Sequence, residues 1–367
     1  MKKFQLNDTL KQYKSEGRLF IIAGPCSVEN AYQVKSTVSF LKNTGKVSLI
    51  RGGIWKPRTR PNQFEGIGEE GLKWLKEAGK EANLPVATEV ATAKHVEACL
   101  NNAIDVLWIG ARTTVNPFSV SEIAEALRGV DLPVMVKNPI NPDLKLWIGA
   151  IERLQTVGVK DVTAVHRGFS SFDKTAYRNA PMWELPIELK RQTPQLPVIC
   201  DPSHISGDVE LLPKVAQKAL DLDMDGLMIE AHYDPSMALS DAHQQLNEWA
   251  FNNLLDNLKT RQHNVDNASF VNQLNQLRHI IDELDEDIIN KLASRMKIAQ
   301  QIGAFKKQNN VTAFQLERWN EIFETRTMLA DKAGLSKEFI AQLLNAIHKE
   351  SIQIQTKIMN NKNGGAE

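Results

Sequence analysis

The chain has 367 residues, 42% hydrophobic and 24% charged, and its 44 basic and 44 acidic side chains cancel to a formal net charge of zero. That balance argues against nucleic acid or an anionic membrane as a partner held by bulk charge, and the length predicts two domains. The longest apolar run is about eight residues, far short of a bilayer span. The N-terminal MKKFQLNDTLKQYKSEGRL lacks the apolar core of a signal peptide. Three cysteines (Cys26, Cys99 and Cys200) cannot build a disulfide framework, so a cytoplasmic protein is expected.

The first 250 residues alternate short apolar runs with amphipathic stretches. Eight runs read as strands, beginning at Leu19, Val47, Pro85, Val106, Pro133, Val162, Pro197 and Gly226. They lack period-2 alternation, as strands buried on both faces do. Helical patterns lie between them, as in EEGLKWLKEAGKEANL from Glu69 and EIAEALRG from Glu122. Eight such units over 1–258 predict an α/β fold, a TIM (β/α)₈ barrel. A doubly wound open sheet is the rival, but no GxGxxG follows the first run. A polar linker is expected at 259–269. Residues 270–360 carry no strand signal and read as an all-α domain of three helices, and 361–367 as a frayed tail. Its first helix bears an apolar stripe through Leu274, Leu277, Ile281, Leu284 and Ile288. The second spans about Gln315 to Lys332, and Ser336 caps the third. A long helix with an extended stripe needs a partner, so an intertwined homodimer, or a higher homo-oligomer, is expected.

In a barrel, chemistry gathers where strands end. The eight ends carry Cys26, Arg51, Glu89, Arg112, Lys137, Arg167, His204 and Glu230. A lone Arg or Lys after a strand is ordinarily a solvated loop residue; a reactive side chain at all eight ends is a pattern. Arg51, Arg112, Lys137 and Arg167, with Lys56 and Arg58, form a cationic group whose expected ligand is multiply anionic and phosphorylated. Cys26, His204 and Glu230, with Asp241 eleven residues after Glu230, suit a divalent metal such as Mn, Fe, Co or Zn. His232 and His243 remain rival ligands. Cys99 and Cys200 read as small core residues.

GPCS-E, RGG--KPRT, IGAR, DPSH and E-H-----ALSD, in that order, resemble type I 3-deoxy-D-arabino-heptulosonate 7-phosphate (DAHP) synthases of the β subgroup over about Leu19 to Leu246. The resemblance implies a metal on Cys26, His204, Glu230 and Asp241, and phosphoenolpyruvate on Arg51, Lys56, Arg112, Lys137 and Arg167. It implies erythrose 4-phosphate on Pro57, Arg58 and Thr59, and no organic cofactor. KPRT argues against the sister 3-deoxy-octulosonate 8-phosphate synthases, which remain the alternative. Glu89, near Lys137, is expected to handle the attacking water or to support Lys137. About 18 residues precede the first strand, which leaves no room there for the ferredoxin-like regulatory domain of some relatives.

In the tail, Arg295 falls on the apolar seam of Ile288, Ile298 and Ile302, where a guanidinium needs an anion or a polar opening. Lys306 lies about 20° away around the helix, and Arg278 about 100° away, facing another pocket or subunit. Ser351 and Gln355 share a face. A surface helix with snorkelling cations is the plain alternative. The run LRHIIDELDEDIINKLASRMKIAQQIGAFK is similar to all-helical chorismate mutases, the match extending from Leu274 to about Met359. It implies a dimeric site with Arg278 from the partner chain and Arg295, Lys306, Arg318, Ser351 and Gln355 from the host. Trp319 and Gln315 stand where that family carries Glu and Asp, so Glu317 or a backbone group is expected to read the chorismate hydroxyl. The expected whole is a bifunctional shikimate-pathway enzyme with feedback by the mutase ligand; a non-catalytic sensing and dimerising tail is the alternative.

Overall fold

In the computed structural model, which describes residues 3–56, 64–172, 175–261 and 267–360, the eight apolar runs become β1 (Ile21–Gly24), β2 (Leu49–Arg51), β3 (Val86–Val90), β4 (Val106–Ile109), β5 (Val134–Lys137), β6 (Val162–His166), β7 (Val198–Cys200) and β8 (Gly226–Glu230). Each pairs in parallel with the next, and β8 returns to β1 with Gly24 opposite Glu230, closing a barrel. The chain divides into two units, Met1–His263 and Asn264–Glu367.

The pleat explains the missing alternation. Successive side chains point to opposite faces, and here both faces are dry. Ile22, Leu49, Ala87, Trp108, Met135, Val165, Ile199 and Met228, one from each strand, fill the interior. Their neighbours, such as Ile21, Ile50, Leu107, Val136, Ala164 and Leu227, pack under the outer helices. Two residues further along each strand the pleat points inward again. Those eight positions are Gly24, Arg51, Glu89, Gly110, Lys137, Arg167, Asp201 and Glu230. Three cations, three acids and two glycines therefore ring the carboxyl end of the barrel. The glycines are needed: a Cβ on Gly24 would lie 2.0 Å from the Arg51 carbonyl oxygen, and one on Gly110 would lie 2.1 Å from Glu89 Oε1.

The opposite end is closed by a helix, Leu6–Ser15, in the segment before the first strand. Leu6 and Leu10 are buried in the interior cluster, and the Leu6 and Asn7 amides donate to the Asp161 carboxylate at 2.6 and 3.1 Å. Leu6, Leu10 and Tyr13, spaced i, i+4 and i+7, form the apolar face that plugs the barrel, with Phe4 packed beside them.

The second unit has three helices, Ala268–Gln308, Leu316–Lys332 and Lys337–Asn360. Asn267 caps the first through the Phe270 amide, and Ser336 Oγ accepts the Phe339 amide at the start of the third. Gly303 on the first helix lets the third approach: a Cβ there would sit 3.0 Å from Gln355 Cα. Leu277, Ile281, Leu284 and Ile288 remain exposed along the first helix, Leu284 by 56% and Ile288 by 57%.

Candidate active sites

At the carboxyl end of the barrel, Cys26 Sγ, Glu230 and Asp241 bring three ligand atoms within 4.8 Å of one another. Cys26 Sγ lies 3.2 Å from Asp241 Oδ2. His204 turns Nε2 toward Glu230 Oε1 at 3.6 Å, while its Nδ1 lies 2.8 Å from Asp201 Oδ2. That contact has ion-pair distance without hydrogen-bond geometry; it places a carboxylate behind the imidazole, as is usual for a metal-binding histidine. Glu230 Oε1 is fully buried and lacks a directional hydrogen bond; the thiol and two carboxylates converge, and the His204 imidazole stands beside them, near Glu230 but outside that mutual cluster. This donor set fits a borderline divalent cation. Among the rival histidines, His232 uses Nδ1 to accept the Asp234 amide and faces Glu29, and His243 is exposed.

The cations lie beside this cluster. Arg51 is buried, with Nη2 3.2 Å from Glu230 Oε1 and 3.3 Å from the Cys26 carbonyl oxygen. Its Nε and Nη1 have no partner. Lys56 Nζ donates to Cys26 Sγ at 2.9 Å and to its carbonyl oxygen at 3.0 Å. Lys137 Nζ pairs with Asp201 Oδ2 at 2.8 Å. Arg167 Nη1 donates to Asn179 Oδ1 at 2.8 Å. Glu89 Oε2 accepts Trp108 Nε1 at 2.9 Å, and Arg51 and Lys137 lie over the same indole, 5.0 and 5.6 Å from its centroid.

Burial, with Glu230 second, pushes the Cys26 thiol up to about 12. Burial alone would raise the Glu230 carboxyl, but His204, Arg51 and Lys56 outweigh it and hold the group below its ordinary value. Burial keeps His204 neutral-prone, with Asp201 opposing, as a metal ligand must be. Arg167 is drawn down to about 10 by burial, with Asp201 opposing and the charges of Arg178 and Arg112 adding to the effect. Desolvated cations gathered at one mouth favour an anionic occupant.

In the helical unit, Arg295 Nη1 donates to Ser351 Oγ at 2.5 Å, and Lys306 Nζ donates to the Ala313 carbonyl oxygen at 2.6 Å. Gln355 Oε1 is buried without a partner. His348 lies in the same field: burial, then Arg295 and Lys306, holds its imidazole below the ordinary range. Trp319 stacks on that imidazole at 3.9 Å, with Phe314 at its edge 5.8 Å away. Arg318 is exposed and pairs with Glu321 at 2.6 Å. Arg278 is exposed on the first helix, seventeen residues or about 25 Å of helix from Arg295.

The family model of the DAHP synthetase I family matches residues 11–267, which contain every strand of the barrel. The chain belongs to the DAHP synthetase I family. The model of type II chorismate mutase matches residues 277–356, within the helical unit. The chain is thus a bifunctional enzyme, a DAHP synthase domain followed by a chorismate mutase domain. A phospho-2-dehydro-3-deoxyheptonate aldolase of Thermotoga maritima is 32% identical over 243 residues, 66% of this chain and 70% of its own length. A 2-dehydro-3-deoxyphosphooctonate aldolase of Stenotrophomonas maltophilia is 30% identical, over 61% of this chain and 83% of its own. The crystal structure of the Thermotoga maritima DAHP synthase superposes with a TM-score of 0.59 at 32% identity, covering 65% of this chain and 68% of that one. A truncated form of the same organism's synthase gives 0.57 at 29%, covering 65% and 85%.

Of the residues singled out in the synthase domain, Cys26, Arg51, Lys56, His204, Glu230 and Asp241 stand together, and Lys137 and Arg167 face the same mouth from β5 and the end of β6. Arg112 lies four residues beyond Trp108, close enough for Arg167 to feel its charge. Pro57, Arg58 and Thr59 lie outside the described residues. Sequence reasoning missed Asp201, Arg178, Asn179 and Gln244. Asp201 carried a signal, because it opens the DPSH motif at an inward pleat position. Arg178 and Asn179 sit in a loop and Gln244 ends a three-residue 3-10 turn, where no periodicity marks them.

Proposed function

We propose that the synthase domain joins phosphoenolpyruvate to erythrose 4-phosphate, with a divalent cation on Cys26, His204, Glu230 and Asp241. The mutase domain, in this reading, rearranges chorismate to prephenate in a dimer. The observation that carries the barrel reading is Arg51: a fully buried guanidinium with two unpaired donors, next to a thiol, an imidazole and two carboxylates. Unpaired buried donors are costly, and an anion at the mouth would satisfy them.

Arg51, Lys56, Arg112, Lys137 and Arg167 hold the phosphate and carboxylate of phosphoenolpyruvate, bringing two mutually repelling phosphorylated substrates together. Such positioning is worth several kcal/mol, roughly, in effective-concentration terms. Carbon 3 of phosphoenolpyruvate bonds to the aldehyde carbon of erythrose 4-phosphate, whose oxygen takes up a proton. Carbon 2 becomes electrophilic, water adds there, and its bond to the phosphate oxygen breaks to release inorganic phosphate. Lys137 and Glu89, on either side of Trp108, offer a donor and an acceptor for that water. The chemistry a divalent ion supplies at such a site is Lewis-acid polarisation of the aldehyde.

In the mutase domain, Arg295, Arg318 and the partner chain's copy of Arg278 clamp the two carboxylates of chorismate, and Lys306 and Gln355 donate to its ether oxygen. No covalent intermediate is needed; holding a compact conformer and stabilising charge at the breaking bond is enough. The Arg295–Ser351 contact, and a buried Gln355 whose Oε1 is left open to a donor such as the chorismate hydroxyl, support a polar pocket here.

Phosphate release with erythrose 4-phosphate and with arabinose 5-phosphate tests the barrel: release with the five-carbon sugar alone makes it an octulosonate synthase instead. Metal content of the purified protein should fall at least tenfold in Cys26→Ser. Prephenate formation by the full chain tests the tail, and absence of turnover makes it a sensor. Arg295→Ala should abolish prephenate formation and spare phosphate release; loss of both would mean that the two activities are coupled.

A further inference from the structure

Each carboxylate of the metal cluster divides its oxygens between two tasks. Asp241 turns Oδ2 toward Cys26 Sγ, and its Oδ1 accepts Arg178 Nη1 at 3.0 Å. Glu230 turns Oε1 toward His204 Nε2 and Arg51 Nη2, and its Oε2 accepts Gln244 Nε2 at 2.6 Å. The two outer oxygens are linked, because the same Arg178 nitrogen donates to Gln244 Oε1 at 2.7 Å. One guanidinium thus reaches both carboxylates, Asp241 directly and Glu230 through an amide.

Arg178 is itself held. Its amide donates to the Ser206 carbonyl oxygen at 3.2 Å. Its side-chain stem lies over Gly207, where a Cβ would come within 2.4 Å of Arg178 Cβ. The next residue continues the strap: Asn179 Nδ2 donates to the His204 carbonyl oxygen at 2.6 Å, and Asn179 Oδ1 accepts Arg167. Asp241 has need of such support, since its backbone is left-handed, with φ of 47°.

We propose that Arg178, with Gln244 as its relay, is a positioning residue of the metal centre: it occupies the outer oxygen of Asp241 and, through Gln244, that of Glu230, leaving one oxygen of each to the ion. The inference rests on the metal reading above and adds to it the residues that set carboxylate orientation. An arginine suits the task because its rigid planar head aims one nitrogen at both acceptors while keeping its charge. A mere surface ion pair would also explain a side chain 45% exposed, and that is the reading to separate.

The experiment is a Co²⁺ titration of the metal-free full-length protein, read by the thiolate-to-metal charge-transfer absorbance. Arg178→Ala should weaken Co²⁺ binding by roughly 10–100-fold, the usual loss when a residue supporting a metal ligand is removed. Arg178→Lys should recover part of that loss, since an ammonium keeps the charge and a donating nitrogen but not the planar head that aims it. The unfolding midpoint of the metal-free variants should stay at the parental value. Parental Co²⁺ affinity in Arg178→Ala overturns the proposal, even if phosphate release falls. If the parent shows no Co²⁺ band, or one that survives Cys26→Ser, the metal reading falls and takes this inference with it.

Discussion

His166 occupies the outward position next to Arg167, buried between Phe169 and Trp183. Burial first, and Arg167 second, drives its imidazole down to about 3. The sign follows: below the unfolded value near 6.5 the unfolded chain takes up a proton that the folded chain refuses. Stability contributed by the neutral imidazole is therefore present above about pH 6.5 and falls as pH drops toward 3, by about 1.4 kcal/mol per unit at most. His166→Phe should flatten that part of the stability–pH curve, measured by chemical unfolding between pH 4 and 7. His166 was legible as a strand residue but its orientation was not, because the pleat phase shows itself only once interior and exterior partners are known. The metal-cluster residues were easier to find: Cys26, His204 and Glu230 lie at strand ends whatever the phase. Arg178 lies in the segment between β6 and the next helix, and its pairing with Asp241, 63 residues away, leaves no local trace.

Among elements, the N-terminal helix closes the far end of the barrel with a short apolar face. Its two interior leucines replace water at the closed end of the barrel, so their loss creates a cavity. Leu10→Ala should cost about 2–5 kcal/mol by denaturant unfolding, the range for buried leucine truncation. The cost should appear without a change in the Km for phosphoenolpyruvate, because the helix sits at the far end from the substrate. The strands were legible as a set because eight apolar runs at regular spacing leave few alternatives to a closed parallel sheet. The inward glycines at the mouth were not, since a glycine after a strand ordinarily reads as a turn. Gly110→Ala would press a methyl group on Glu89 while Trp108 holds that carboxylate, and phosphate release should fall at least tenfold.

For the whole molecule, the exposed stripe of the helical unit carries the expectation of a dimer. Ile288 and Leu284, each more than half exposed, continue a row that a single chain leaves in water. If that row pairs two copies of the chain, Ile288→Glu should leave monomers by light scattering where the parent gives dimers. If Arg278 serves the neighbouring chain's site, prephenate formation should fall with it while phosphate release persists. The barrel has a different vulnerability. Its proposed metal ligands come from the ends of β1, β7 and β8 and the loop that follows, so they straddle the seam where the first strand meets the last. Cys26 and Asp241 are separated by 215 positions in the chain and can meet only after the eighth strand has been synthesised and docked. An ion bound there acts as a clasp on the ring, and amide exchange in β1 and β8 should slow on loading more than in β4 and β5. Metal occupancy would then report that the ring has closed as well as that the site is ready for substrate.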